Sequence, residues 1–188
     1  SEELKKELRQ LPAGLLHLEA GIQSLREPVL EKSRRIGKLS DALEGLKFLC
    51  SLSNMETHAD LIAGLPLYRL DEIFEDIYTL AGYRAGEIQL ESLKLLPGTE
   101  MRHRADELGI RYSPLPPYEV LQTGEISVSE LQTARRLSRL LDAFYNTPAW
   151  QELTRELILN DRRFLYRFLA LSLIHISEPK RHLRISYA

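Results

Sequence analysis

Polar and apolar residues alternate in three short segments of this sequence, and the polar residues carry most of its candidate chemistry. Glu19 alternates with small and apolar residues in the first segment, His58 and Asp60 do so in the second, and Gln89 and Glu91 in the third. Because successive side chains of a strand point to opposite faces, the polar residues of each segment share one face. Carboxylates, amides and imidazoles on one face predict a polar surface that holds a ligand through hydrogen bonds.

These side chains must be positioned by three strands, and turn-forming residues mark the ends of each strand. The strands are predicted at residues 15–22, 55–66 and 87–96. The predicted helices cover residues 28–50, a segment with Asp71 as its N-cap, and residues 101–108. Strand and helix therefore alternate three times, which predicts an α/β fold with three parallel strands, either as an open sheet or as part of a barrel.

The two faces of the predicted sheet differ in polarity. Leu18, Ala20 and Ile22 form an apolar face that helices would cover, whereas Glu19 and Gln23 point the other way. An ordinary parallel sheet is apolar on both faces, so we interpret the polar face as the wall of a barrel lumen that holds a ligand. The alternative is a sheet with one face simply exposed to solvent.

A helical region follows these three units. Ser127 and Glu130 form a capping-box pattern for a helix that reaches about Tyr145. Pro148 fits the first turn of the next helix, and residues 164–168 belong to a further one. The sequence therefore predicts that the α/β part is followed by an α-helical segment.

The composition argues against several classes of protein. The chain has 25 lysines and arginines against 27 aspartates and glutamates, so its charge does not favour nucleic acid or an anionic membrane as a partner. It contains no run of about 18 apolar residues that would span a membrane. Its charged first residues predict a helix rather than a signal peptide. The single cysteine excludes intramolecular disulfides, which fits a cytoplasmic protein.

Three runs occur in order along the chain: EAGIQS at 19–24, ADLIAGLP at 59–66 and LKLLPGT at 93–99. They resemble the last three strands of the radical S-adenosylmethionine (SAM) barrel, as in oxygen-independent coproporphyrinogen oxidase and its relatives. The run PPYEVLQTGEISVSEL at 116–131, with the pair Tyr145-Asn146, resembles the C-terminal domain of uncharacterised cobalamin-binding radical SAM proteins. The resemblance implies a partial (β/α) radical SAM barrel, followed by an α-helical C-terminal domain.

The resemblance implies that five residues bind SAM. In such barrels SAM is contacted by a glutamine that ends the fourth strand, an arginine 12 residues later and an aspartate on the fifth strand, and Gln23, Arg35 and Asp60 match these positions. Arg35 would pair with the methionyl carboxylate, and Asp60 would accept a hydrogen bond from a ribose hydroxyl. Ile62 and the backbone of Leu95 and Leu96 lie where the adenine would be sandwiched. Without the resemblance, Arg35 is explained as a solvated charge and Asp60 as a satisfied buried carboxylate.

Glu19, His58 and Glu91 are candidates for contact with a substrate, because the alternation places them on the predicted lumen face. His58 is equally well explained as a hydrogen-bonded histidine of the core. The implied substrate is a small molecule whose identity the pattern does not define.

The chain lacks the cluster ligands that such a barrel needs. A [4Fe-4S] cluster of this kind requires three cysteines spaced Cys-x-x-x-Cys-x-x-Cys, and Cys50, on an apolar helix stripe, is the only cysteine. We therefore expect the cluster motif and a cobalamin domain to lie outside this chain, in a parent radical SAM enzyme. The chain alone is expected to be inactive and to hold no metal. The alternative is a non-catalytic α/β module that binds a ligand or a protein.

Three regions are expected along the chain. Residues 1–112 would form the partial barrel and residues 113–170 the helical C-terminal domain. Residues 171–188 begin with LSLIHISEPKR, which resembles the translation of a sequencing adapter except that Lys180 stands where threonine is expected. We expect this tail not to be native sequence, and its basic residues are not interpreted as a nucleic-acid tail.

Overall fold

A computed structural model describes residues 2–177, with side chains up to residue 171. The strands are β1 (His17–Gln23), β2 (Glu56–Ala63), β3 (Glu87–Ser92), β4 (Arg111–Tyr112) and β5 (Val120–Gln122). The helices are α1 (Glu2–Gln10), α2 (Glu27–Lys32), α3 (Leu39–Cys50), α4 (Leu70–Gly82), α5 (Glu100–His103), α6 (Val128–Leu140), α7 (Pro148–Asn160) and α8 (Phe164–Ser177), and a π-helical turn (Leu141–Tyr145) follows α6. Within the described residues, no helix combines the length and apolar character needed to span a membrane.

The first three strands form a parallel sheet in the order β1-β2-β3. Helices α2 and α3 connect β1 to β2, and α4 connects β2 to β3. Glu19, His58 and Glu87 lie in one row across the three strands, and Asp60 is paired with Gln89. The predicted α/β fold, with three parallel strands, flanking helices and a helical C-terminal region, is confirmed.

Among the described residues, helices cover one face of this sheet and not the other. Ala59, Leu61 and Ile88 are fully buried on that face, where α3 and α4 pack against β2. Phe74 and Ile77 of α4 belong to the same core and are also fully buried. Burying one side chain of this size contributes roughly 1.5–3 kcal/mol, so the covered face provides the main stabilisation of the sheet.

The segment predicted as one helical stretch over residues 28–50 is two helices. Arg34 and Gly37 have φ angles of 56° and 124°, which an α-helix cannot accommodate. Helix α2 ends before these residues and α3 begins after them. The loop between the two helices carries Arg35, and from this loop the Arg35 side chain reaches the end of β1.

Asp71 is not the N-cap of α4, so this prediction was wrong. Arg69 occupies that position, and its backbone N–H donates to Glu72 Oε2 at 3.0 Å. The Asp71 carboxylate lies in the first helical turn, 3.0 Å from the Arg69 guanidinium, and this contact lowers the pKa of Asp71. Glu72, the third residue of the helix, thus accepts from the N–H of the N-cap residue, whereas an N-cap at Asp71 would have accepted from an N–H inside the first turn.

The chain after β3 departs most from the sequence prediction. The predicted third strand is shortened, because Leu93 and Leu95 form backbone hydrogen bonds with Val120 and Tyr118 and turn toward the second sheet. The helix predicted over residues 101–108 is shortened to α5. Strands β4 and β5 form an antiparallel pair that was not predicted from the sequence.

The C-terminal helices agree with the sequence prediction. The Ser127 N–H donates to Glu130 Oε2 at 2.8 Å, and the Glu130 N–H lies 3.4 Å from Ser127 Oγ, which confirms the capping box. The π-helical turn extends α6 to the predicted end, and α7 begins at Pro148. Helix α8 continues through Ser177, and the predicted non-native tail otherwise lies outside the described residues.

The two edges of the parallel sheet are finished differently. At the β3 edge, Asn146 Oδ1 accepts from the Ile88 N–H at 2.9 Å, and Asn146 Nδ2 donates to the Ile88 carbonyl at 3.1 Å. The Tyr145 hydroxyl donates to the Ala85 carbonyl at 2.8 Å, just before β3. Beside β1, in contrast, no further strand pairs within residues 2–177. Asn146 thus takes the place that a neighbouring strand would occupy on one edge only.

Candidate functional site

The uncovered face of the parallel sheet is a polar surface built from three neighbouring strands. It consists of His17 and Glu19 from β1, Glu56, His58, Asp60 and Ile62 from β2, and Glu87, Gln89 and Glu91 from β3. These residues share a face because they alternate with the apolar residues that are turned toward the helices. We call this set the polar face.

His58 lies at the centre of the polar face. Its Nδ1 is 2.9 Å from Nε2 of His17 and 3.9 Å from Oε2 of Glu87. Its Nε2 is 3.7 Å from a carboxylate oxygen of Glu19 and 3.9 Å from one of Asp60. The two nitrogens of this imidazole, whose side chain is 14% exposed, therefore face two different groups of polar partners.

Asp60 is the carboxylate of the polar face whose protonation is most affected by burial. Burial raises the pKa of Asp60 to about 6, and the carboxylates of Glu19 and Glu91 add to the increase. Hydrogen bonding with Asp60 lowers the pKa of Glu19. Asp60 therefore keeps the proton of this pair while Glu19 is ionised, and near pH 6 Asp60 can donate as well as accept a hydrogen bond.

Gln23 ends β1, and Arg35 lies against the same end of this strand. The register with β2 shifts between Ala20 and Gln23, and Gln23 has a φ angle of 68°. The alternation that predicted Gln23 on the polar face therefore ends at this bulge. The Arg35 guanidinium donates to the Gly21 carbonyl, which attaches the loop between α2 and α3 to the strand. A cavity of about 120 Å³ lies beside Gly21, Arg35 and Ile36.

The chain that follows Gln23 is fixed by Asp76 of α4. The Asp76 carboxylate is 1% exposed and accepts from the Leu25 N–H at 2.8 Å and from the Tyr68 hydroxyl at 2.6 Å. The Arg26 guanidinium lies 2.8 Å from the same carboxylate. Burial raises the pKa of Asp76, although these three partners favour its ionised form. The contacts hold the carboxyl end of β1 in one conformation.

Leu95 lies apart from the other predicted SAM contacts. Its side chain is 1% exposed and belongs to the core. Its N–H donates to the Tyr118 carbonyl at 2.9 Å, and its carbonyl accepts from Arg102 at 3.0 Å. The neighbouring Leu96 is 52% exposed, so this is the side chain of the pair that a ligand can reach.

The remaining predicted residues come together on the polar face. Asp60 and Ile62 lie there on β2, and the substrate candidates Glu19, His58 and Glu91 lie on all three strands. Ile62 and Glu91 are cross-strand partners toward the carboxyl ends of their strands. The structure thus brings these five residues together on one face, whereas Gln23 and Arg35 lie at the end of β1 and the Leu95 side chain lies in the core.

Several residues of this surface were not identified from the sequence. His17, Glu56 and Glu87 are each the first residue of a strand, and the turn residues before them interrupt the alternating pattern. His17 stands two residues before Glu19, so extending the alternating pattern by one step toward the N-terminus would have placed His17 on the polar face. Asn146 acts on β3 over 58 residues of sequence, and no local pattern reveals such a contact.

The fold and the polar face define the chain as an α/β protein with a helical C-terminal region. Residues 106–169 match the model of a family described as a protein of unknown function (DUF4080). The matched range contains β4, β5, α6, α7 and the first part of α8, including Asn146, and lies outside β1, β2 and β3. None of the curated proteins compared with the chain matches it.

Proposed function

We propose that this chain is the second half of a radical SAM barrel joined to its C-terminal domain. In the complete enzyme, a [4Fe-4S] cluster would donate one electron to SAM, which is cleaved to methionine and a 5'-deoxyadenosyl radical. This chain would contribute SAM contacts and the wall of the substrate cavity. It would not hold the cluster, because it has one cysteine where three are needed.

The observation that carries this proposal is the difference between the two edges of the parallel sheet. Asn146 occupies the β3 edge, whereas β1 has no partner on its outer side within the described residues. A further strand can therefore add beside β1, whereas beside β3 it would meet Asn146 at Ile88. A barrel in which β1, β2 and β3 are the last three strands needs its earlier strands at this edge. The polar face would then be the inner wall, which is consistent with its lack of a covering helix in residues 2–177.

The geometry at the end of β1 is consistent with a SAM site. Gln23 and Arg35 lie at the carboxyl end of a parallel strand, the side on which ligands bind in such folds. Arg35 offers a guanidinium fork for the methionyl carboxylate, and Asp60 offers an acceptor for a ribose hydroxyl. Ile62 follows on the same face and would pack against the adenine. Leu95 would support that contact from the core.

The family match supports the same proposal. Domains of the DUF4080 family are known to occur in cobalamin-binding radical SAM proteins. The matched range begins after β3, where a C-terminal domain of such a protein would follow its barrel. A cobalamin domain would lie outside this chain, and cobalamin would assist the radical chemistry of the parent enzyme.

The test uses the chain together with the sequence that precedes it in its gene. After anaerobic reconstitution with iron and sulfide and reduction with dithionite, 5'-deoxyadenosine is quantified by mass spectrometry. We expect SAM-dependent product, and we expect Arg35→Ala and Asp60→Ala each to reduce it by about tenfold or more, because each loses a charged hydrogen bond. Arg34→Ala is the matched control, since Arg34 is exposed and pairs with Glu100 instead.

The open reading frame that encodes this chain provides a result that could contradict the proposal. An intact frame without a Cys-x-x-x-Cys-x-x-Cys motif before this chain would contradict the proposal. It would favour the alternative of a non-catalytic α/β module that binds a ligand or a protein. If the wild type, Arg35→Ala and Asp60→Ala formed equal amounts of 5'-deoxyadenosine, Arg35 and Asp60 would not belong to the SAM site.

A further inference from the structure

Two imidazole nitrogens converge at the amino end of the polar face, opposite the carboxyl end of β1 where Gln23 and Arg35 lie. His17 Nε2 lies 2.9 Å from His58 Nδ1, and Glu87 Oε2 lies 3.9 Å from the same His58 nitrogen. The donor atoms of these three residues all lie within 4.8 Å of one another. Two nitrogens bound to one tetrahedral zinc ion are about 3.3 Å apart. Small side-chain rotations therefore suffice to place an ion between them.

The outer nitrogen of each histidine faces a carboxylate. His17 Nδ1 is 3.2 Å from Glu56 Oε2, and His58 Nε2 is 3.7 Å from Glu19 and 3.9 Å from Asp60. Histidines that bind metals usually donate their second N–H to such a carboxylate, which fixes the tautomer and the orientation of the ring. The polar face thus contains metal ligands and also the groups that support them.

The surrounding charge also favours a cation. Within the part of the chain that the structure describes, the carboxylates of Glu19, Glu56, Asp60 and Glu87 have only histidines, and no lysine or arginine, as ion-pair partners. His58 Nε2 and Asp60 Oδ1 are buried atoms without a hydrogen-bond partner. A metal ion on Nδ1 of His58 would fix the proton on Nε2, from which it can be donated to Asp60.

We propose that His17, His58 and Glu87 bind a divalent transition metal ion, for which zinc is the best fit. Two imidazoles and one carboxylate are a donor set of zinc sites and of non-haem iron sites. The side-chain amide of Gln89 lies 3.4 Å from His58 Nδ1 and can supply a fourth ligand through its oxygen once the amide is flipped. This site does not depend on the proposed radical SAM function.

The position of the site indicates a structural role. His17 and Glu87 are the first residues of β1 and β3, and His58 is two residues inside β2 between them. One ion would therefore link all three strands at the end opposite the carboxyl end of β1. We infer that the ion holds the amino ends of the strands together, and in the barrel of the proposed function this end serves stability rather than catalysis.

A second group of possible ligands lies on the other side of the same imidazole. Glu19, His58 and Asp60 also bring their donor atoms within 4.8 Å of one another. This group has one nitrogen and two carboxylates, and its closest contact to His58 is 3.7 Å rather than 2.9 Å. We therefore assign Glu19 and Asp60 as supporting groups and His17 as a ligand.

The test is a zinc titration of the metal-stripped chain against a chromophoric chelator. We expect one tightly bound ion per chain, and cobalt in its place should give visible d–d absorption bands. His17→Asn, which removes an exposed ligand, should weaken zinc binding by about 100-fold, and Glu56→Gln, which removes a supporting carboxylate, by about tenfold. His103→Asn is the matched control, because His103 is an exposed histidine on α5.

Thermal unfolding provides a second measurement. Zinc should raise the Tm of the wild type and of His103→Asn but not that of His17→Asn, because an ion stabilises only the fold that binds it. Circular dichroism of each variant before zinc is added shows that it is folded. The proposal is overturned if wild type and His17→Asn bind zinc equally. It is also overturned if Glu19→Gln abolishes binding while His17→Asn does not, since the ion would then lie on the other side of His58.

Discussion

Replacing Asp76 tests how firmly the carboxyl end of β1 is held. Asp76→Ala removes the acceptor of the Leu25 N–H and of the Tyr68 hydroxyl and the counter-ion of Arg26. Breaking a buried ion pair on one side costs about 3–5 kcal/mol. The Arg26 side chain is 35% exposed and can regain water, so we expect a loss near the lower limit, about 3 kcal/mol. For a chain of this length, that loss lowers the Tm by about 6–12 °C.

Urea unfolding followed by circular dichroism measures this free energy directly. Glu75→Ala is the matched control, because Glu75 lies beside Asp76 on α4 and its carboxylate pairs with Arg162 at the surface, at 2.6 Å. An exposed pair of this kind is worth less than about 1 kcal/mol. A loss below about 1 kcal/mol for Asp76→Ala, or equal losses for the two variants, would refute the reasoning.

The pH dependence of stability gives an independent measure of the same carboxyl group. Because burial raises the pKa of Asp76 above its ordinary 3.8, the folded chain binds this proton more tightly than the unfolded chain does. The resulting stabilisation is complete below pH 3.8 and is lost as the pH rises through the raised pKa. Asp76→Asn lacks this group, so the difference in unfolding free energy between the two proteins should change over that interval. A constant difference would contradict the raised pKa.

Three further predictions concern other parts of the chain. A Cβ at residue 86 would lie 2.7 Å from the backbone oxygen of Thr57, so Gly86→Ala should lower the free energy of urea unfolding by about 1–3 kcal/mol. As a control, Gly45→Ala, in an open position of α3, should raise this free energy by up to about 1 kcal/mol. A Gly86→Ala variant as stable as the wild type would contradict the close approach. Burial raises the pKa of Cys50 above 9.0, so iodoacetamide should alkylate Cys50 more slowly at pH 8 than it alkylates free cysteine. The alkylation rate, followed by mass spectrometry, should keep rising above pH 9. Equal rates for Cys50 and free cysteine would show that the thiol is exposed. Asn146→Ala leaves the Ile88 N–H and carbonyl without their side-chain partner, so it should lower the free energy of unfolding by about 2 kcal/mol and speed hydrogen exchange at the Ile88 amide. Unchanged exchange would show that another group protects this amide.

The sheet could be predicted from the sequence because its pattern is local. His58 and Asp60 alternate with Ala59 and Leu61, and this period of two defines a strand and its two faces without knowledge of the rest of the fold. The same reasoning failed at Gln23, because a bulge depends on how β1 is paired with β2 and not on the residues of β1 alone.

The parts that could not be predicted depend on contacts between distant segments. The Leu95 side chain lies in the core, and its backbone N–H is bonded to Tyr118, 23 positions later in the sequence. Asp76 fixes Leu25 from 51 residues away. Their partners are set by the packing of whole elements, and neither contact leaves a period or a motif in the sequence. The cluster of His17, His58 and Glu87 combines three strands in the same way.

The Asn146 amide also decides which edge of the sheet can recruit another chain. An unpaired edge strand is a template for aggregation, because its free N–H and carbonyl groups can pair with a foreign strand. At β3 such a strand would have to displace both hydrogen bonds of Asn146 with Ile88. At β1 it would meet no such barrier among the described residues. Association between copies of this chain should therefore begin at β1, and covering that edge is the way to keep the copies apart.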